Sequence, residues 1–143
     1  MKSDTLYTLA APLEPEDHNT DQAGQINEED EECLARAAKE LSRVLREFVK
    51  SVCDKKIYHA IVVGLGNRNV TPDALGPRTV DNLFITRHIV KEYGRYAFGN
   101  ENVNSVCGLV PGVMAQTGME CLEIIKGVVK ETKPDFVVTI DAL

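Results

Sequence analysis

Ile57-Tyr58-His59-Ala60-Ile61-Val62-Val63-Gly64-Leu65-Gly66-Asn67 is the stretch whose reading decides the fold. Residues 57–65 are a mostly apolar run closed by glycines at 64 and 66, the pattern of a parallel strand buried on both faces. Gly64 and Gly66 let the backbone turn tightly where the strand stops. The loop that follows, from Gly64 to Pro77, is rich in Gly, Asn and Pro.

Downstream, Val80, Leu83, Phe84, Ile89 or Val90, and Tyr93 predict one helix, with Gly94 as its stop. Val103 to Val110 reads as a weaker strand, broken by Pro111 and Gly112. Thr117 and Glu120 form a T-x-x-E capping box. The helix it opens carries Leu122, Ile125, Val128 and Val129 and ends near Lys130. Pro134 closes the turn, and Asp135 to Ile140 gives a last buried strand that leads into Asp141.

Upstream, residues 28–53 repeat Leu34, Ala37, Ala38, Leu41, Val44, Leu45, Phe48 and Val52 at helical spacing. Asn27 is the expected cap. The acidic run Glu28–Glu32 suits the positive end of the helix dipole, and Arg43, Arg46 and Lys50 suit the negative end. Residues 1–27 are polar, carry Pro12, Pro15 and Gly24, and read as a flexible N-terminal arm. The domain proper is expected over 28–143. Its order is a helix, then strand–helix–strand–helix–strand. That alternation predicts an α/β fold with a mostly parallel sheet and right-handed crossovers. Three strands make a small sheet and the chain stops just past the last, so a domain truncated at the C-terminus is expected.

The sequence has 143 residues with a formal net charge of −6, which offers no basic footprint for nucleic acid or an anionic membrane. No run approaches the roughly 20 apolar residues of a membrane span, and Met1 to Ala11 lacks a signal-peptide core. A cytoplasmic protein is expected. Cys33, Cys53, Cys107 and Cys121 form no C-x-x-C pair and read as reduced thiols on or near core faces.

Ligands of open parallel sheets bind outside the carboxyl ends of the strands, and two carboxylates fall there. Asp73 lies in the loop after the first strand, and Asp141 ends the last. If the fold sets those strands side by side, the carboxylates share an edge. Thr71 and Pro72 read as a cap and first helical position, which puts Asp73 near a helix N-terminus. The loop is neither G-x-G-x-x-G nor a P-loop, which disfavours a nucleotide site. Paired carboxylates suit amide hydrolysis, because one takes a proton from water and the other gives one to the leaving amine. His18, His59 and His88 are scattered, so no zinc site and no cofactor are expected. The plainer reading of each aspartate is a helix stabiliser or a loop cap.

Several blocks taken together resemble the germination protease family of spore-forming bacteria. They are Val62-Val63-Gly64-Leu65-Gly66-Asn67, Val70 to Pro77, Val80-Asp81-Asn82-Leu83 with Ile85-Thr86-Arg87-His88, Val110 to Met114 with Thr117-Gly118, and Lys133-Pro134-Asp135-Phe136 with Ile140-Asp141-Ala142-Leu143. The resemblance implies an aspartate-dependent endopeptidase that degrades small acid-soluble spore proteins during germination, in the forespore or spore core. It implies an inactive precursor, a homotetramer, and a phosphorylase/hydrolase-like three-layer sandwich. It places the two family aspartates on Asp73 and Asp141. Gly64, Gly66, Asn67, Gly112 and Gly118 are expected to bind substrate or support the loops, with backbone amides near Gly112 or Gly118 facing an oxyanion. The family chain runs well past Leu143, so this sequence is expected to be its N-terminal part. Two alternatives accompany this reading. One is a nickel-binding peptidase of the hydrogenase-maturation type, which needs a further ligand. The other is an inactive truncated domain with Asp73 and Asp141 far apart.

Overall fold

The computed structural model describes residues 28–142. The expected arm at 1–27 and the Asn27 cap lie outside them. The described residues fall into two compact units, 28–55 and 56–142.

The first unit is a single helix, α1 (Glu28–Val52), one residue shorter than the 28–53 expected from its apolar stripe. Arg43 ties two turns together by pairing with Glu40 three residues before it and with Glu47 four residues after it. Leu34 and Leu41 of the stripe are exposed.

The second unit holds the sheet. Its elements are β1 (His59–Gly64), α2 (Leu75–Asp81), α3 (Arg87–Tyr93), β2 (Ser105–Leu109), α4 (Met114–Thr117), α5 (Cys121–Thr132) and β3 (Phe136–Ile140). All three strands are parallel in the order β2-β1-β3. The strand read first in the sequence is therefore the central one. Ala60, Ile61 and Val63 of β1 are buried, with Ala74 and Pro77 packed beside them. The flanking strands β2 and β3 are mostly half-buried.

Two glycines set how closely α2 approaches the sheet. A Cβ on Gly64 would stand 2.3 Å from the Gly76 carbonyl oxygen. A Cβ on Gly76 would stand 2.3 Å from the Leu65 oxygen and 2.5 Å from the Ile140 oxygen. The first turn of α2 thus rests backbone to backbone on the ends of β1 and β3, which no larger residue permits.

Three expectations are corrected. The single helix predicted across Val80–Tyr93 is two, because Asn82–Thr86 breaks it. Asn82 closes α2 by donating from its side-chain amide to the Arg78 carbonyl at 2.8 Å. Buried Thr86 stands at the N-cap position of α3, but its hydroxyl splints β2 instead of capping the helix. Its hydroxyl donates to the Asn104 carbonyl at 2.6 Å and accepts the Val106 N–H at 2.8 Å, while its own N–H donates to the Val106 carbonyl. Gly94 stops α3 at φ 75°, as expected. The capping box lies three residues further on than Thr117–Glu120. Glu120 is the cap and Glu123 its reciprocal partner, whereas Thr117 ends α4. The same spacing recurs, and a carboxylate accepts the N3 amide as well as a hydroxyl does. Lastly, Thr71 caps nothing. Thr71–Asp73 is one 3₁₀ turn, with Val70 at the cap position and Asp73 as its last residue.

Candidate active site

The carboxyl ends of all three strands share one edge because the strands are parallel. Gly64 ends β1 opposite Ile140, which ends β3. One residue further, the Leu65 N–H donates to the Ile140 carbonyl at 2.8 Å. Asp141 follows Ile140 directly, so this bond fixes its backbone against the mouth of the β1 loop.

That loop folds back on itself to present Asp73. Gly66 takes φ 113°, and a Cβ there would collide with the Asp73 carbonyl oxygen at 2.1 Å and its carboxylate at 2.8 Å. The next residue, Asn67, donates its backbone N–H to the Asp73 carboxylate at 2.6 Å. The Asn67 side chain accepts the Asn69 N–H, its carbonyl accepts the Val70 N–H, and the Val70 carbonyl accepts the Asp73 N–H. Each bond ties a turn residue to one two or three positions away, so the loop is held by its own backbone. Asp73 is half-buried within it. A charged acceptor bonded to a fixed N–H is a well-oriented carboxylate.

The segments that carry the two aspartates thus leave neighbouring strands at one edge of the sheet. Asp141 is also half-buried, and among the described residues no hydrogen bond reaches its carboxylate. Beside Asp73, an open groove of about 550 Å³ runs along α2. It is lined by Thr71, Ala74, Leu75, Arg78, Thr79 and Asn82 together with Leu83. Thr71 and Ala74 flank Asp73 in the chain.

The remaining expected residues divide by position. Gly64 packs against Gly76, and Gly66 against Asp73, so both shape the loop. Gly112 lies past the carboxyl end of β2 at φ 76°, and its carbonyl accepts the Cys121 thiol at 3.1 Å. Gly118 is the left-handed cap of α4, and its N–H already donates to the Met114 carbonyl at 2.8 Å. That amide is unavailable to an oxyanion. Gly76 was missed in the sequence, although the pair Gly64…Gly76 around a strand-to-helix turn is the signal of a close backbone approach.

All four cysteines are free. Cys53, Cys107 and Cys121 are half-buried as expected, but Cys33 is exposed on α1. His88 is exposed on α3. Among the described residues, no three His, Cys, Asp or Glu side chains gather as metal ligands, and none of them supplies the further ligand that the nickel alternative needs. Nor is any described helix long and apolar enough to cross a membrane.

The profile of the germination protease family matches residues 15–143, nearly the whole chain. The chain belongs to the germination protease family. It is 50% identical over 127 residues to the germination protease of Caldanaerobacter subterraneus subsp. tengcongensis, covering 89% of this chain and 38% of that protein. To the germination protease of Bacillus subtilis it is 42% identical over 122 residues, covering 85% of this chain and 33% of that protein. To that of Bacillus mycoides it is 38% identical over 140 residues, covering 98% and 38%. The chain therefore spans little over a third of the length of these curated relatives, and the family is one of proteases.

Proposed function

We propose that this chain carries the aspartate site of an endopeptidase that hydrolyses small acid-soluble spore proteins during germination. One of Asp73 and Asp141 takes a proton from the attacking water, and the other protonates the leaving nitrogen. Two carboxylates near one another suit both tasks, because like charges drive their proton affinities apart. The observation that supports this most is the Leu65–Ile140 hydrogen bond, which joins the two aspartate-bearing segments at the carboxyl edge of the sheet. The Gly112 amide, at the end of the neighbouring strand, is the better placed oxyanion donor, since that of Gly118 caps a helix. The groove along α2 is where an extended peptide would lie.

The proposal includes the family's wider setting. The domain is a three-layer, phosphorylase/hydrolase-like sandwich whose sheet continues in the longer family chain. It works as a homotetramer, made as a zymogen, in the cytoplasm of the forespore or spore core.

The test uses a chimera in which residues 15–143 replace the matching segment of a full-length germination protease, with a purified small acid-soluble spore protein as substrate. The chimera is expected to cleave. Asp73→Asn and Asp141→Asn are each expected to slow turnover by about 10²-fold or more, the usual contribution of one acid–base group. Undiminished turnover in either variant overturns the paired-acid reading. A chimera that folds and does not cleave overturns the assignment of the site to this segment.

A further inference from the structure

β2 lies on a flank of the sheet, since the strand order is β2-β1-β3. One side of a flanking strand carries backbone donors and acceptors that no neighbouring strand claims. Which groups of β2 these are follows from its pairing with β1. Ser105 donates its N–H to the Tyr58 carbonyl at 2.9 Å. Backbone groups alternate in direction along a parallel strand, so Ser105, Cys107 and Leu109 turn theirs toward β1. Val106, Gly108 and Val110 turn theirs outward.

The first half of this edge is closed. Thr86 takes the Asn104 carbonyl and both the N–H and the carbonyl of Val106. Just upstream, Arg95 Nε donates to the Val103 carbonyl at 3.1 Å. Past Val106 the cover ends. Among the described residues, no hydrogen bond reaches the outward backbone groups of Gly108 or Val110. Gly108 is exposed, whereas the other residues of β2 are half-buried. A Cβ on it would stand 2.6 Å from Val80 Cγ1 and 3.2 Å from Ile85 Cδ1. The side-chain direction is therefore filled, and what Gly108 shows to solvent is backbone. On the other flank, Thr139 is level with Leu109 across Val63 and is buried. The edge of β2 is thus bare only toward its carboxyl end, the end at which the Asp73 and Asp141 segments leave the sheet.

We propose that the Gly108–Val110 edge of β2 is a docking strand for the substrate polypeptide, added to the groove along α2. An extended peptide joins the sheet there, bonded to the Gly108 N–H, the Gly108 carbonyl and the Val110 N–H. This rests on the reading of the aspartate edge as a peptidase site. Addition of a strand to a sheet edge reads backbone, and only alternate residues of the peptide turn their amides to the protein. Strands lie about 4.8 Å apart, so the docked peptide runs about 10 Å from β1 and the loop that carries Asp73. An extended chain covers about 3.3 Å per residue, so the docked residues stand about three positions from the bond that is cleaved.

The test uses the full-length chimera described above and a short peptide spanning one cleavage site of a small acid-soluble spore protein. The peptide is N-methylated at one amide at a time. KM is expected to rise at least about fivefold at every second amide, starting about three residues from the scissile bond, with kcat unchanged. Equal tolerance at all amides, or losses that do not alternate, would overturn the docking strand. Hydrogen exchange then locates it, with the same peptide made uncleavable by reducing its scissile carbonyl to a methylene. The Gly108 and Val110 amides should exchange quickly in the free chimera and slow at least about tenfold with the peptide. The Val106 amide, already held by Thr86, should not change. Slow exchange at Gly108 before peptide is added would mean that the rest of the longer chain covers the edge. Slowing confined to residues 78–83 would put the whole peptide in the α2 groove. Either result overturns the proposal. The exchange measurement needs binding alone, so a chimera that binds the peptide without cleaving it refutes the acid pair while the edge is still judged.

Discussion

Gly76→Ala probes the contact that holds the two aspartate segments together. The added carbon would sit 2.3 Å from the Leu65 oxygen, 2.7 Å from the Leu65 nitrogen and 2.5 Å from the Ile140 oxygen. All three are backbone atoms at the ends of β1 and β3, so no rotamer change relieves the clash. α2 or a strand end has to shift by about 1 Å to restore an ordinary carbon–oxygen contact. Overpacking a buried site costs about 1–3 kcal/mol when side chains can give way, and rigid backbone puts this case at the upper end. The shift also strains the Leu65–Ile140 hydrogen bond, which contributes about 1 kcal/mol. The sum is about 4 kcal/mol, a large share of the 5–15 kcal/mol by which domains are typically stable. Urea denaturation followed by circular dichroism measures it. Gly127→Ala is the matched control: it lies inside α5 with nothing within 4 Å of the new carbon, so it should stabilise by about 0.5–1 kcal/mol. A Gly76→Ala protein within about 1 kcal/mol of the parent would refute the close-approach argument.

Thr86→Val keeps the shape of the side chain and removes the hydroxyl. It leaves the Asn104 carbonyl and the Val106 N–H without their partner, and an unsatisfied buried group costs about 1–3 kcal/mol. A loss of about 2 kcal/mol or more is expected in the same denaturation assay, and Thr86→Ser should recover most of it. For His59, burial and Arg87 outweigh the opposing Asp135 and Lys133 backbone and hold the folded imidazole below its ordinary value. As pH falls through about 6.5 the unfolded chain takes up the proton first. Stability is therefore full above that value and declines below it. Urea midpoints at about pH 7.5 and 5.5 should differ more for the parent than for His59→Gln, and equal differences would remove the histidine from the account.

Much of the local structure was legible in the residues. The apolar run at 57–65, the helical stripe of α1 and the stop at Gly94 are read from spacing, because side-chain periodicity and glycine's freedom are properties of a few neighbouring residues. The break at Asn82–Thr86 was not legible. Nothing within Val80–Tyr93 shows that the Thr86 hydroxyl is claimed by β2, some twenty residues on. The capping box failed for a smaller reason: the cap is Glu120, a residue the S/T-x-x-E pattern does not include, while the matching Thr117 ends the preceding turn.

The site divides along the same line. The sequence by itself determined the family, the alternation of strands and helices, and the placement of Asp73 and Asp141 beyond strand ends. Only the tertiary structure decided that β1 lies between the other two strands. That order brings the ends of β1 and β3 into register, so the segments that carry two aspartates 68 positions apart in the chain leave the sheet at one edge. Strand order depends on which distant surfaces pack, here on two glycines that let α2 rest on bare backbone, and no local pattern encodes that choice. The same order leaves the Gly108 backbone on an open flank of β2, which no motif in the sequence marks.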